Sequence, residues 1–222
     1  MIKAIILDFD GIILETNHIK GKGFVHLFRE YPQDIQEKVK EAHRINGGLS
    51  RYKIFEIVYR DFLKKPLTED IKNRLAQEFS DYCYKEILRA AFVPGMDTFL
   101  SWAYQKYPLF IISGTPEDEV RNTVKVHKLD KYFKGIYGSP RTKTQLCQFI
   151  LDEFNYSTSD VIFVGDSIND LEGAEETGIP FVARIRNDNA EIFENKDVYK
   201  VEDFMGFDKF ITNLNNSEVK AL

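Results

Sequence analysis

Asp8-Phe9-Asp10-Gly11 follows directly on an apolar run, residues 2–7. Side chains alternate along extended backbone, so Asp8 and Asp10 share one side and Phe9 turns to the other. Two carboxylates at the end of a buried strand repel each other unless a cation or a proton intervenes. Gly11 permits close backbone approach to a ligand. An isolated Asp-x-Asp-Gly also makes a solvated turn, but its place at the end of the first apolar run favours a site. Gly165-Asp166-Ser167-Ile168-Asn169-Asp170 closes another apolar run, residues 161–164. A helix starting there carries Asp166 and Asp170 on one face. Helix capping by Asp166 or Ser167 accounts for the same residues. Beside a second acidic strand end, however, an all-oxygen set points to Mg2+, which takes carboxylates, water and substrate phosphate.

Ser113-Gly114-Thr115 closes a third apolar run, residues 108–112. A hydroxyl and a glycine amide at the mouth of a helix hold an anion or simply cap that helix, and the motif alone does not choose. Lys143 stands near the start of the helix leading to the Asp166 strand. From there it can reach a phosphate, although a lone lysine is more often a solvated charge.

These positions need a scaffold. The runs at 2–7, 108–112, 161–164 and 180–183 suit strands buried on both faces, and 197–201 is a weaker fifth. Helical patterns at 96–104, 116–128, 144–154 and 171–177 lie between them, with Thr115 as N-cap and Pro116 at the first helical position of the second. Alternating strands and helices predict an α/β fold with a doubly wound parallel sheet, whose ligands sit beyond the carboxyl ends of the strands. Residues 15–90 break the alternation and read as helices alone, at 20–29, 35–44, 51–63 and 69–89. The predicted organisation is a catalytic core of 1–14 and 91–222 with an all-helical cap of 15–90, placed as a lid over the first strand's carboxyl end.

Composition narrows the partners. With 222 residues, 43% of them hydrophobic, the chain can build a real core. Its net charge of −5 argues against nucleic acid and anionic membranes as partners. No apolar run approaches the roughly 18 residues of a membrane span. Two cysteines, Cys83 and Cys147, make no disulfide framework, and the N-terminus does not read as a signal peptide. A cytoplasmic location is expected, as a monomer or small homo-oligomer.

Taken in order, these motifs resemble the haloacid dehalogenase-like (HAD) superfamily across nearly the whole chain. Its Asp-x-Asp-Gly matches Asp8–Gly11, its strand-ending Ser or Thr matches Ser113, its Lys matches Lys143, and its Gly-Asp-Ser-x-x-Asp matches Gly165–Asp170. The helical insertion is similar to the cap of phosphoglycolate phosphatases and β-phosphoglucomutases. The resemblance implies that Asp8 attacks phosphorus and forms an aspartyl-phosphate. Asp10 then serves as general acid and base. Asp8, the backbone carbonyl of Asp10 and Asp166 hold Mg2+, with Asp170 supporting or ligating it. Ser113, Gly114 and Lys143 bind the phosphoryl oxygens. An acid at Asp10 favours phosphoryl transfer over carbon–halogen hydrolysis, since the family's dehalogenases lack one there. Ile12 and Glu15 depart from the usual motif without touching this chemistry.

In the cap, Gly47-Gly48-Leu49-Ser50-Arg51 suits a loop that dips into the cleft, with Arg51 and His18 as candidate specificity residues. The expected function is Mg2+-dependent hydrolysis of a small phosphate ester, a sugar phosphate or phosphoglycolate-like compound. A sugar phosphomutase shares the same chemistry. An Asp-phosphorylated signalling module fits poorly, because such domains are shorter and lack a lid. A catalytically silent binding protein fits poorly too, because every catalytic position is filled.

Overall fold

The computed structural model describes residues 1–219. Six parallel strands form one sheet: β1 (Ala4–Leu7), β2 (Leu109–Pro116), β3 (Gly135–Ser139), β4 (Val161–Gly165), β5 (Phe181–Arg184) and β6 (Tyr199–Val201). Their order is β3-β2-β1-β4-β5-β6. Alternation along each central strand feeds two cores. Ile5, Leu7, Leu109, Ile111, Ile162 and Val164 join one apolar cluster, while Ala4, Ile6, Phe110, Ile112, Val161 and Phe163 join the other. The first face is covered by α5 (Met96–Ala103), α6 (Glu117–Val126) and α10 (Phe207–Val219). The second is covered by α7 (Lys143–Glu153), α8 (Ile168–Thr177) and α9 (Ala190–Phe193). This is the doubly wound α/β sheet expected from the alternating runs.

Two boundaries differ from expectation for physical reasons. Strand β3 carries Gly135 and Gly138 and lies at the sheet edge, half buried, so it needs no continuous apolar run and shows none. Strand β2 continues to Pro116, so α6 starts at Glu117 rather than Pro116.

Between β1 and α5 come α1 (Asn17–Leu27), α2 (Gln33–Ile45), α3 (Arg51–Ile57) and α4 (Glu69–Ile87). The continuous helix expected over 51–63 instead widens after Ile57 into a π-helical segment, Val58–Leu63, ended by Lys64 at φ 51°. These helices own a third apolar cluster, including Phe24, Phe28, Phe55 and Phe79. Each fully buried ring of this kind contributes roughly 1.5–3 kcal/mol. The segments entering and leaving the helical unit run side by side. The Glu15 amide donates to the Ala91 carbonyl at 2.9 Å, and the Val93 amide to that of Ile13 at 3.1 Å. Among the described residues, no helix is long and apolar enough to cross a membrane.

His43, on α2, is only 8% exposed and lies 5.0 Å, ring to ring, from Phe24. Burial, with the Lys20 ammonium nearby, depresses its pKa to about 4. The unfolded chain, with an ordinary histidine near 6.5, therefore takes up a proton that the folded chain refuses. The resulting stability is complete above about pH 6.5 and is lost as pH falls toward 4. Urea unfolding at pH 7 and pH 5 should show the wild type losing about 2 kcal/mol more than His43→Phe on acidification. Equal losses would contradict this account.

Candidate active site

The sheet reverses its winding between β1 and β4, and in such folds the crevice lies outside the carboxyl ends of the strands at this point. Leu7 pairs with Val164, and the Asp8 amide donates to the Val164 carbonyl at 2.9 Å. Asp8 and Asp166, the residues that follow these strands, consequently emerge side by side. Gly11, at φ 74°, lets the backbone turn beneath them, where a Cβ would overlap Asp166 Oδ2.

Asp170 is held by the start of α8. Its Oδ2 accepts from the Asp166 amide at 3.2 Å, the Ser167 amide at 3.1 Å and the Ser167 hydroxyl at 2.6 Å. Ser167 Oγ in turn accepts from the Asp170 amide at 3.3 Å, closing a capping box. Capping and site-building thus use the same residues. Lys143, the first residue of α7, donates to Asp8 Oδ1 at 2.5 Å and the Ile112 carbonyl at 3.0 Å. Its Nζ also lies 2.7 Å from Asp170 Oδ1.

Oxygens of Asp8, Asp166 and Asp170, all buried, lie within 4.8 Å of one another. Burial raises the Asp8 pKa well above the carboxylate range and Asp170 pushes it further, against the pull of Lys143. Burial also raises Asp166 to about 6, opposed by the Arg186 guanidinium. Burial works against the charge on Lys143, but Asp170 and Asp8 outweigh it and raise its pKa. Three carboxylates thus share the charge of Lys143 and of Arg186. Such an oxygen-only, anion-rich set fits a hard divalent cation.

Asp10 stands apart from this cluster in a ring of donors. Thr16 Oγ1 donates to its Oδ1 at 2.6 Å; Thr115 Oγ1 at 3.0 Å, Ser113 Oγ at 3.3 Å and the Lys20 ammonium reach its Oδ2. Burial alone would raise its pKa, but the Lys20 charge and hydrogen bonds from Lys20, Thr16 and Thr115 lower it. Lys20 also donates to Thr115 Oγ1 at 2.6 Å.

Sequence reasoning missed Lys20, Thr16 and Thr115 as site residues. It treated Thr115 only as a helix cap. The signal for Lys20 was its spacing of four from Thr16 at the start of a helix, which puts both on the face toward Asp10. Asn17 and Arg186 were missed as well. Both donate to Asp166 Oδ2, Asn17 at 2.7 Å, and Asn189 Nδ2 donates to the Asp166 carbonyl at 2.8 Å. The 20-residue interval between Asp166 and Arg186 carries no local signal.

The cap is closed on the core. The Gly48 carbonyl would lie 2.6 Å from a Cβ on Gly114, and a Cβ on Gly48 would overlap the Ser167 hydroxyl. A cavity of about 20 Å³ is left among residues that include Asp8, Asp10, Lys20, Gly48, Arg51 and Gly114. Arg51 borders it, yet its guanidinium is engaged elsewhere. It forms a two-pronged pair with Glu119 of α6, at 3.0 and 2.5 Å, donates to Ser80 Oγ, and lies over the Phe79 ring at 4.8 Å. In this arrangement Arg51 ties the cap to the core. His18 is exposed and lines a second, open cleft of about 870 Å³ between α1, α2 and the 186–189 loop.

Solved structures of similar shape include a β-phosphoglucomutase from Clostridium difficile, with a TM-score of 0.79 at 18% identity over 99% of this chain and 100% of that one. A protein described as a predicted phosphoglycolate phosphatase from Haemophilus somnus gives 0.74 at 22% over 95% and 98%. The HAD-hydrolase YfnB from Bacillus subtilis, described as bound to magnesium with interdomain movement, gives 0.66 at 14% over 95% and 99%. A search of curated proteins finds no match. The profile of the haloacid dehalogenase-like hydrolases matches residues 5–184, with all four motifs inside it. The chain belongs to the haloacid dehalogenase-like hydrolase family.

Proposed function

We propose that this protein is a Mg2+-dependent phosphatase acting on a small phosphate monoester through an aspartyl-phosphate on Asp8. One observation carries the reading: the Asp8 carboxylate lies against Lys143 and within the three-carboxylate cluster, while Asp10 waits beside it in a separate ring of hydroxyls. Asp8 and Asp166, with the Asp10 backbone carbonyl and support from Asp170, would hold Mg2+. Bound there, the cation offsets carboxylate charge so that an anionic phosphate can approach.

Asp8 then forms the new O–P bond as the bond from phosphorus to the leaving oxygen breaks. Ser113, the Gly114 amide and Lys143 stabilise the charge on the other phosphoryl oxygens. Asp10 gives a proton to the leaving oxygen and later takes one from the water that cleaves the aspartyl-phosphate. With Lys20 on its carboxylate, Asp10 is held ionised, the form that serves the second step. Lys20 rides on α1, so displacement of the cap withdraws that cation and lets Asp10 take up a proton. The cavity, about 20 Å³, is too small for a phosphate ester, so substrate entry requires the same displacement. Two buried free cysteines, Cys83 and Cys147, suit a reducing, cytoplasmic setting.

Four measurements test this. Asp8→Asn should lower phosphate release by roughly a thousand-fold or more, and Asp10→Asn by roughly a hundred-fold or more. In labelled water the wild type should place one solvent oxygen in the released phosphate; transfer of phosphate back to the sugar would indicate a mutase instead. Gly48→Ala, which obstructs closure, should lower kcat/KM about 10-fold or more while the melting temperature stays within a few degrees; unchanged kinetics would remove the closure step. Saturating Mg2+ (about 100 times Kd) should raise the melting temperature by roughly 5–10 °C, and EDTA should reverse it. That shift should vanish in Asp166→Asn, and its persistence would move the cation elsewhere.

A further inference from the structure

We propose that His43 is the cap residue that recognises the substrate's leaving group, hydrogen-bonding a neutral hydroxyl on it. The inference rests on the phosphatase reading and deepens it: the substrate is a polyol or sugar phosphate, not an ester of a small carboxylic acid.

The side chain of His43 is more than nine-tenths buried. Its ring contact is with Phe24, and its nitrogens are not among the buried polar atoms left without a partner, which among the described residues are Asn169 Nδ2 and Asp170 Oδ1. Neither nitrogen is sealed in the interior, so each is open to a group that enters the adjoining cavities. The ring borders both the small cavity holding Asp8 and Asp10 and the open cleft of about 870 Å³. A phosphoryl group at Asp8 leaves the rest of the ester to pass this wall. Phe24 packs against the ring at 5.0 Å and fixes its plane. Gly21 also lies beside the ring, where a Cβ would make ordinary contact with Nδ1 at 3.5 Å, so its absence leaves that nitrogen less covered.

The surrounding charge selects the chemistry. Burial and then Lys20 hold the imidazole neutral; Asp10 and Asp188 pull the other way, and Arg186 adds least. A neutral imidazole donates from one nitrogen and accepts at the other, which matches a hydroxyl, itself both donor and acceptor. A carboxylate could use only the donor and would leave the second nitrogen unpaired.

The test compares phosphate release from hydroxylated esters and their deoxy counterparts: glycerol 1-phosphate against propyl phosphate, and glucose 6-phosphate against its 2-deoxy form. His43→Phe keeps the packing on Phe24 and removes both nitrogens. The ratio of kcat/KM, hydroxylated over deoxy, should fall at least about 10-fold in His43→Phe for the pair that the wild type prefers, chiefly through KM. His43→Gln, which restores a donor and an acceptor, should recover part of it. An active wild type whose ratios are unchanged in His43→Phe overturns the role of His43 alone. A wild type that releases no phosphate from any of these esters, nor from p-nitrophenyl phosphate, overturns the phosphatase reading and the His43 role with it. If His43→Phe does not fold, the same ratio in His43→Gln against His43→Ala decides: equal ratios overturn the proposal.

Discussion

Three buried carboxylates held within 4.8 Å of one another are the constraint around which this structure is organised. Removing one partner from a buried charge group costs about 3–5 kcal/mol, because it strands the remaining charge. The chain meets the demand with separate devices. Lys143 bridges Asp8 and Asp170 from beneath. The α8 capping box absorbs one oxygen of Asp170. Asn17 and Arg186 converge on a single oxygen of Asp166. Even so, burial and mutual repulsion keep Asp8 and Asp166 harder to ionise than ordinary aspartates. The site is therefore strained toward taking up positive charge, whether as protons or as a cation.

The helical unit is coupled to that site by the place where it leaves the chain. It begins directly after the turn that follows β1, so its first helix starts at the site's edge. Thr16, Asn17 and Lys20 reach Asp10 or Asp166 for that reason. A lid inserted later in the chain would need a long excursion to do the same. Further contacts hold it down on the far side, among them Arg44 on Glu191, the Gly48 backbone on Gly114, and Arg51 on Glu119. The last is uneven, with the Arg51 side chain 5% exposed and that of Glu119 37%. Water can compete for the carboxylate, so this tie is weaker than a fully buried pair and can open and re-form.

How much was legible in the sequence follows from how local each signal is. Strands buried on both faces announce themselves as apolar runs, so β1, β2, β4 and β5 stood out. The edge strand β3, half buried and carrying two glycines, did not. The spacing in Asp8-Phe9-Asp10 is a property of extended backbone alone, and the closeness of Asp166 to Asp170 belongs to a single helix start. Both could be read before any tertiary structure was known. The contacts of Lys20 with Asp10, Arg186 with Asp166 and Arg51 with Glu119 depend on how separate elements pack, and nothing in the residues around them marks the partner. The burial of His43 is equally invisible in sequence, where it reads as one more polar residue on an amphipathic helix.

The convergence of Asp8, Ser113, Lys143 and Asp166 needs no long-range design beyond the sheet itself. In an all-parallel sheet every strand delivers its carboxyl end to the same edge. Residues about 160 positions apart, such as Asp8 and Asp166, become neighbours once β1 and β4 pair in register. Lys143 enters from the one strand end farther out, across β2, because α7 starts where β3 stops and packs back under the sheet. Each site residue is therefore set by a short local segment, while pairing of the strands brings the segments together. Chemistry at this edge can change one loop at a time without disturbing the core. The strand ends supply the clustered carboxylates, while α1, α2 and the Gly48 loop, together with the 186–189 loop, line the cavities beside them.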